Sequence, residues 1–282
     1  MCPRTPFRYF MNFLLPATLT LAAMTGLASA TEVNIDFGSS LVTNVYSGQA
    51  AAPDPAGGAT ATWNPLLNVS GTASSLDLDD SQGNSTGIGF TVSGIQGVVS
   101  QAPAENEQGG GYVSLMRDYI RIDGVTGGTV VSTTGTFTGV VVGGTYELYF
   151  YGQGENMGPA GSGSLLRGQN SLFTIGGTSK QTSWDGIAGG NGILTEGVEY
   201  VKFSTIADIN GEINFSWANV VATGATPNVA VDLAPNAATP PSNTASRYSA
   251  LNAIQLVQVV PEPSTALLSA LGILGLIVRR RR

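Results

Sequence analysis

Between residues 31 and 260 no run of twelve residues keeps a helical apolar period between caps, whereas apolar and polar residues repeatedly alternate at period two. Val33-Asn34-Ile35-Asp36-Phe37 alternates in this way, as do Ile213-Asn214-Phe215-Ser216-Trp217 and Ile254-Gln255-Leu256. Such a pattern sends alternate side chains to opposite faces of a strand. Further strand-rich runs lie at 87–95, 129–138, 145–151, 171–175 and 199–205. Gly127-Gly128, Gly143-Gly144, Gly176-Gly177 and Asn210-Gly211 punctuate them. Val140 to Tyr151 across Gly143-Gly144, and Tyr200 to Trp217 across Asn210-Gly211, are the predicted hairpins. Residues 112–119 have room for a helical turn or two. About nine strands over such a length predict an all-β fold, a single antiparallel β-sandwich of jelly-roll type. No repeat with a period of 20–50 residues is evident, which argues against a propeller or solenoid.

Composition narrows the chemistry. The 282 residues contain no His and a single Cys, Cys2. Serine–histidine–aspartate and cysteine–histidine catalysis are therefore excluded, along with His-ligated zinc or haem. Between Thr31 and Val260 six basic side chains face eighteen acidic ones, a net charge of −12. That balance repels phosphate backbones and predicts no nucleic-acid partner.

Both ends differ from the middle. Arg4 and Arg8 precede an apolar stretch from Phe10 to Thr25, and Ala28-Ser29-Ala30 offers small residues at Ala28 and Ala30, where signal peptidase selects them. Residues 1–30 thus read as a secretory signal peptide cut before Thr31. At the other end Pro261-Glu262-Pro263 leads into the apolar run Ala266 to Val278, closed by Arg279, Arg280, Arg281 and Arg282. A helix from Pro263 to Arg282 would be ~30 Å long, one bilayer core. The Arg cluster is expected to stop it at the cytoplasmic face, with the body outside.

Residues 261–282 resemble the PEP-CTERM sorting domain of Gram-negative bacteria: a Pro-Glu-Pro motif, a hydrophobic transmembrane helix and an Arg cluster, in that order. The resemblance implies handling by exosortase, a membrane transpeptidase found with exopolysaccharide gene clusters. It also implies recognition of Pro261, Glu262 and Pro263, with cleavage at or near them. The chain is then exported and held as an inner-membrane intermediate, before release to the envelope, surface or extracellular matrix. A second resemblance rests on Val33-Asn34-Ile35-Asp36-Phe37-Gly38, Trp63-Asn64, Tyr146 to Gly152 and Leu251 to Leu256. Together they look like the galactose-binding-like jelly-roll domains, which implies a sandwich over 31–260 whose first and last strands pair. It transfers no sugar-contacting residue.

Three groups in the body are candidates for chemistry. Asp77, Asp79 and Asp80 lie in an oxygen-rich stretch with Gly83 and Asn84, suited either to a structural Ca²⁺ or to a polar hairpin tip with Asx turns. Trp63 and Trp184 are candidate stacking platforms for a sugar, while Trp217 alternates with Phe215 and Ile213 as a core residue. Glu105 with Glu107, and Glu196 with Glu199, are the nearest Glu pairs for a hydrolase. Gly109-Gly110-Gly111 is not followed by a Lys-Ser/Thr pair and makes no phosphate loop. The expectation is a non-catalytic surface or exopolysaccharide-matrix protein with no cofactor beyond a structural calcium. The alternatives are a carbohydrate-binding module with a defined sugar site and, after it, an orphan glycoside hydrolase.

Overall fold

The computed structural model describes residues 30–38, 45–52, 60–67, 69–99, 112–123, 131–154, 171–182, 192–219 and 248–260. In chain order the strands are β1 (Glu32–Gly38), β2 (Asn64–Leu67), β3 (Gly71–Asp79), β4 (Ser85–Ile95) and β5 (Gly97–Val99). A short helix α1 (Val113–Arg117) precedes β6 (Tyr119–Asp123), β7 (Ser132–Thr138), β8 (Thr145–Tyr151), β9 (Ser171–Ile175) and β10 (Thr178–Gln181). The last four are β11 (Tyr200–Ile206), β12 (Glu212–Asn219), β13 (Tyr248–Leu251) and β14 (Ala253–Val259).

They assemble into a five-stranded sheet ordered β11-β8-β14-β1-β2, a six-stranded sheet ordered β10-β9-β12-β7-β4-β3, and a three-stranded sheet β13-β6-β5. The fold is all-β and sandwich-like, and the rings between the two large sheets show why. Val33, Ile35 and Phe37 of β1, Leu148 and Phe150 of β8 and Leu256 of β14 point to one side of the five-stranded sheet. There they meet Phe90, Phe137, Phe173, Phe215 and Trp217 of the other sheet. Phe150 stacks on Phe173 with ring centroids 4.7 Å apart and tilts against Phe215 at 4.9 Å, while Phe37 reaches Phe90 at 5.8 Å. Aromatic contacts of this kind add to the burial of apolar area that holds two sheets face to face.

The first and last strands pair antiparallel, with Ile35 opposite Ile254. One pair departs from the antiparallel expectation: β1 and β2 run parallel. Both predicted hairpins also need correction. β7 and β8 belong to different large sheets, and so do β11 and β12. The turn chemistry at Gly143-Gly144 and Asn210-Gly211 reverses the chain from one sheet to the other, because the apolar faces of both strands in each pair seek the same core from opposite sides. The true hairpins are β3–β4 and β9–β10, the latter across Gly176-Gly177.

The outer face of the five-stranded sheet is covered rather than solvated. Tyr46, Ala52, Ala61 and Trp63 pack there with Leu115 and Met116 of α1, over Tyr149, Tyr151, Ala253 and Val257. β1 is therefore buried along its whole length. At Asn252 the chain passes from the small sheet into β14, and its amide secures that corner. Its Nδ2 donates to the carbonyls of Met116 (3.0 Å) and Asp118 (3.2 Å), and its Oδ1 accepts from the Gln153 N–H (2.8 Å).

Candidate functional site

Both ends of the described body meet at one pole of the sandwich. The Gln258 N–H donates to the Thr31 carbonyl at 2.8 Å. Val259, Thr145 and Ile206 are register partners across β14, β8 and β11, so the chain leaves the fold beside the start of β8 and the end of β11. Two sheet-crossing tips, 139–144 and 207–211, form the rest of this pole and are bonded to each other. Val140 N donates to Gly211 O, Gly143 N to Ala207 O and Ala207 N to Gly144 O. Between the 139–144 tip and the termini lies an open cleft of about 300 Å³, lined by Thr31, Asp80, Thr86, Val141, Tyr146 and Gln258.

A buried polar strip runs beneath the loop that covers β1. Gln255 Nε2 donates to Glu32 Oε1 (2.9 Å) and Asn34 Oδ1 (2.8 Å). Its Oε1 accepts from the Tyr151 hydroxyl (2.5 Å) and the Ala52 N–H (3.1 Å). Asp36 accepts from the Tyr46 N–H at 2.8 Å through Oδ2, while its buried Oδ1 has no hydrogen-bond partner. Burial pushes the Asp36 carboxyl up to about 7, opposed by the Tyr46 N–H and reinforced by the neighbouring Asp118 carboxylate.

The predicted site residues divide between structural roles and the tail. Trp63 is only 4% exposed, donates from Nε1 to the Gly48 carbonyl at 3.0 Å and stands edge-on to Tyr46, so it presents no open platform. Trp217 is core, as its alternation predicts, with Nε1 donating to Ser249. Asp77 and Asp80 serve the β3–β4 hairpin. Asp77 accepts from the Ser85 hydroxyl and the Gly87 N–H, and Asp80 Oδ1 from the N–H groups of Gln82 and Asn84. These bonds hold the exposed Asp77 carboxyl below its usual range, the Ser85 hydroxyl contributing most. Asp79 is tied in through its backbone N–H to Asn64 Oδ1. Among the described residues no three acidic side chains gather as a metal-binding group. Glu196 forms an ion pair with Lys180 at 3.1 Å, and Glu199 accepts from the Thr195 N–H. Trp184, Glu105, Glu107, Gly109 to Gly111 and Ala28 lie outside the described residues, and so does 261–282. Ala30 is the first residue described.

The strand that ends at Val259 runs directly into a recognisable segment. Residues 259–282 match the PEP-CTERM protein-sorting motif. No curated protein matches the chain. The sorting motif therefore begins on the last residue of β14, with no intervening linker. Among the described residues no helix is long and apolar enough to cross a membrane. The sequence carried no sign that the two sheet-crossing tips share a pole with both termini. That follows only from pairing between residues far apart in the chain.

Proposed function

We propose that this chain is an exported, non-catalytic surface or exopolysaccharide-matrix protein, a β-sandwich delivered by a signal peptide and sorted by an exosortase-type enzyme. Signal peptidase cuts after Ala30. The segment 263–282 then holds the body at the inner membrane as a transmembrane helix, with Arg279 to Arg282 on the cytoplasmic side, until cleavage near Pro261, Glu262 and Pro263 hands the body on. The observation that carries this reading is the position of the sorting motif, which starts where the fold is already complete. Cleavage there removes no strand. The non-catalytic role is supported by the sequence, which has no His and, between Thr31 and Val260, no Cys for nucleophilic catalysis. The resemblance of its strand motifs to galactose-binding-like jelly-roll domains supports an association with polysaccharide.

Intact mass of the protein recovered from its native host, in envelope and medium fractions, tests the proposal. A species starting at Thr31 and ending near 261–263 is the expected result. A mass running through Arg282 in every fraction overturns the sorting step.

A further inference from the structure

The pole from which the tail departs carries, besides the exit residue Val259, four exposed aliphatic side chains. Val141 is 56% exposed and Val142 62%, Ile206 66% and Ile209 87%. Solvation of large aliphatic groups is unremarkable when they are scattered singly, whereas several of them on one surface mark a contact face. These four sit on or next to the two hydrogen-bonded tips, and Val142 approaches the position that a Cβ on Gly211 would take (3.6 Å).

We propose that the tips 139–144 and 207–211 form a membrane-docking face, with the bilayer interface as its occupant while the tail is still attached. This rests on the anchored intermediate proposed above. Chain length selects the occupant. Ile206 and Val259 are separated by one strand, so the exit point lies about 10 Å from Ile206. From Val260 to Ala266, where the apolar run starts, six residue steps reach at most about 21 Å. A body tethered so closely and at this pole has the tips directed at the lipid, and Thr31, which follows the N-terminal apolar stretch, leaves from the same pole. No Lys or Arg lies within either tip, and Asp208 spends its Oδ1 on the N–H groups of Asn210 and Glu212. The contact is therefore apolar and insensitive to salt, as for aliphatic groups seated in the interfacial zone.

The test uses the proposed intermediate, Thr31 to Arg282, which has no native thiol, in vesicles of phosphatidylethanolamine and phosphatidylcholine. An environment-sensitive fluorophore is attached in turn at V142C and I209C, at T72C on an exposed position at the opposite pole, and at L271C in the tail. The expected result is a blue shift and a loss of emission to shallow nitroxide lipids at 142 and 209, unchanged in high salt, with none at 72. If 142 and 209 behave like 72 while 271 is quenched, the chain is anchored and the docking face is wrong. If 142 and 209 are quenched while 271 is not, docking stands and the anchored tail fails. With no probe quenched, both fail. Shielding of 142 and 209 from aqueous iodide without nitroxide quenching means that a second copy covers the tips, which also overturns the proposal.

Discussion

Gln258 and Thr31 are bound to each other through a backbone hydrogen bond of 2.8 Å, which joins the residue before β1 to a residue three positions short of Pro261. β14, on which Gln258 lies, is an interior strand, flanked by β1 on one side and β8 on the other. The last secondary structure element before the sorting motif is thus a keystone of the sheet rather than an appendage.

A chain ending at Val260 is accordingly expected to melt at the same temperature as the full chain. One ending at Asn252 loses both neighbours' ladder partners and the core side chains Ile254 and Leu256, and is expected not to fold. Thermal denaturation followed by circular dichroism distinguishes them. Equal melting of the two truncations would remove the argument that processing must fall after β14.

Gly135 of β7 faces Phe215 of β12 in register, and the ring lies over the glycine so closely that a Cβ would come within 2.2 Å of Cζ. The Phe215 ring also contacts those of Phe90, Phe137 and Phe150, so it cannot move without displacing its neighbours. Gly135→Ala is expected to destabilise the fold by about 1–3 kcal/mol, the usual cost of overpacking a filled core. Gly143→Ala meets no such neighbour, and its cost comes from positive φ alone. Denaturant unfolding of the two variants gives the comparison.

The strands that sequence predicts best are those whose buried face is apolar at period two. β8 and β9 match the predicted ranges end to end, and β1, β4, β11 and β12 differ by no more than two residues at either end. β3 and β13, rich in Ser, Thr and small residues, carry no such pattern and are recognisable only by their partners. Asn34 and Asp36 look like a solvated strand face because period-two polarity ordinarily marks one. They are buried because Tyr46, Ala51, Ala52, Ala61 and Thr62 cover them, a long-range event without local signature. The hairpin prediction failed for a related reason. A Gly-Gly or Asn-Gly turn requires a reversal but does not choose the sheet of the strand that follows. The sorting tail was legible because all its information is local.

Tyr151 bridges the covering loop to the sheet, since its hydroxyl accepts from the Ala51 N–H at 2.7 Å and donates to Gln255 Oε1. Burial raises its phenol well above the ordinary tyrosine range, which keeps the proton in place. Tyr151→Phe removes one atom and leaves the Ala51 N–H without this acceptor, an expected loss of about 1–3 kcal/mol. Lys202→Met breaks a 2.8 Å ion pair with Glu147 at the partly exposed sheet surface and is expected to cost less than about 1 kcal/mol. If the two variants unfold at the same denaturant concentration, the loop is not held through Tyr151.

Asp36 gives the fold a pH dependence whose direction is fixed by burial. Its carboxyl sits at about 7 in the folded chain against 3.8 when unperturbed. Below both values the group is neutral in folded and unfolded chains, and its contribution to stability is fully present. As pH rises from about 4 to 7 the unfolded chain ionises and the folded one does not, so stability falls by roughly 1.4 kcal/mol per pH unit. Above 7 the loss levels off at about 4 kcal/mol. Asp36→Asn keeps a carbonyl oxygen for the Tyr46 N–H and cannot ionise beside Asp118. The variant is therefore expected to gain stability relative to the parent through this window and to hold that gain at pH 8. Chemical denaturation of both proteins from pH 4 to 8 measures the difference. Parallel profiles across the window would mean that Asp36 is ionised in the folded chain, with a compensating positive charge beside it.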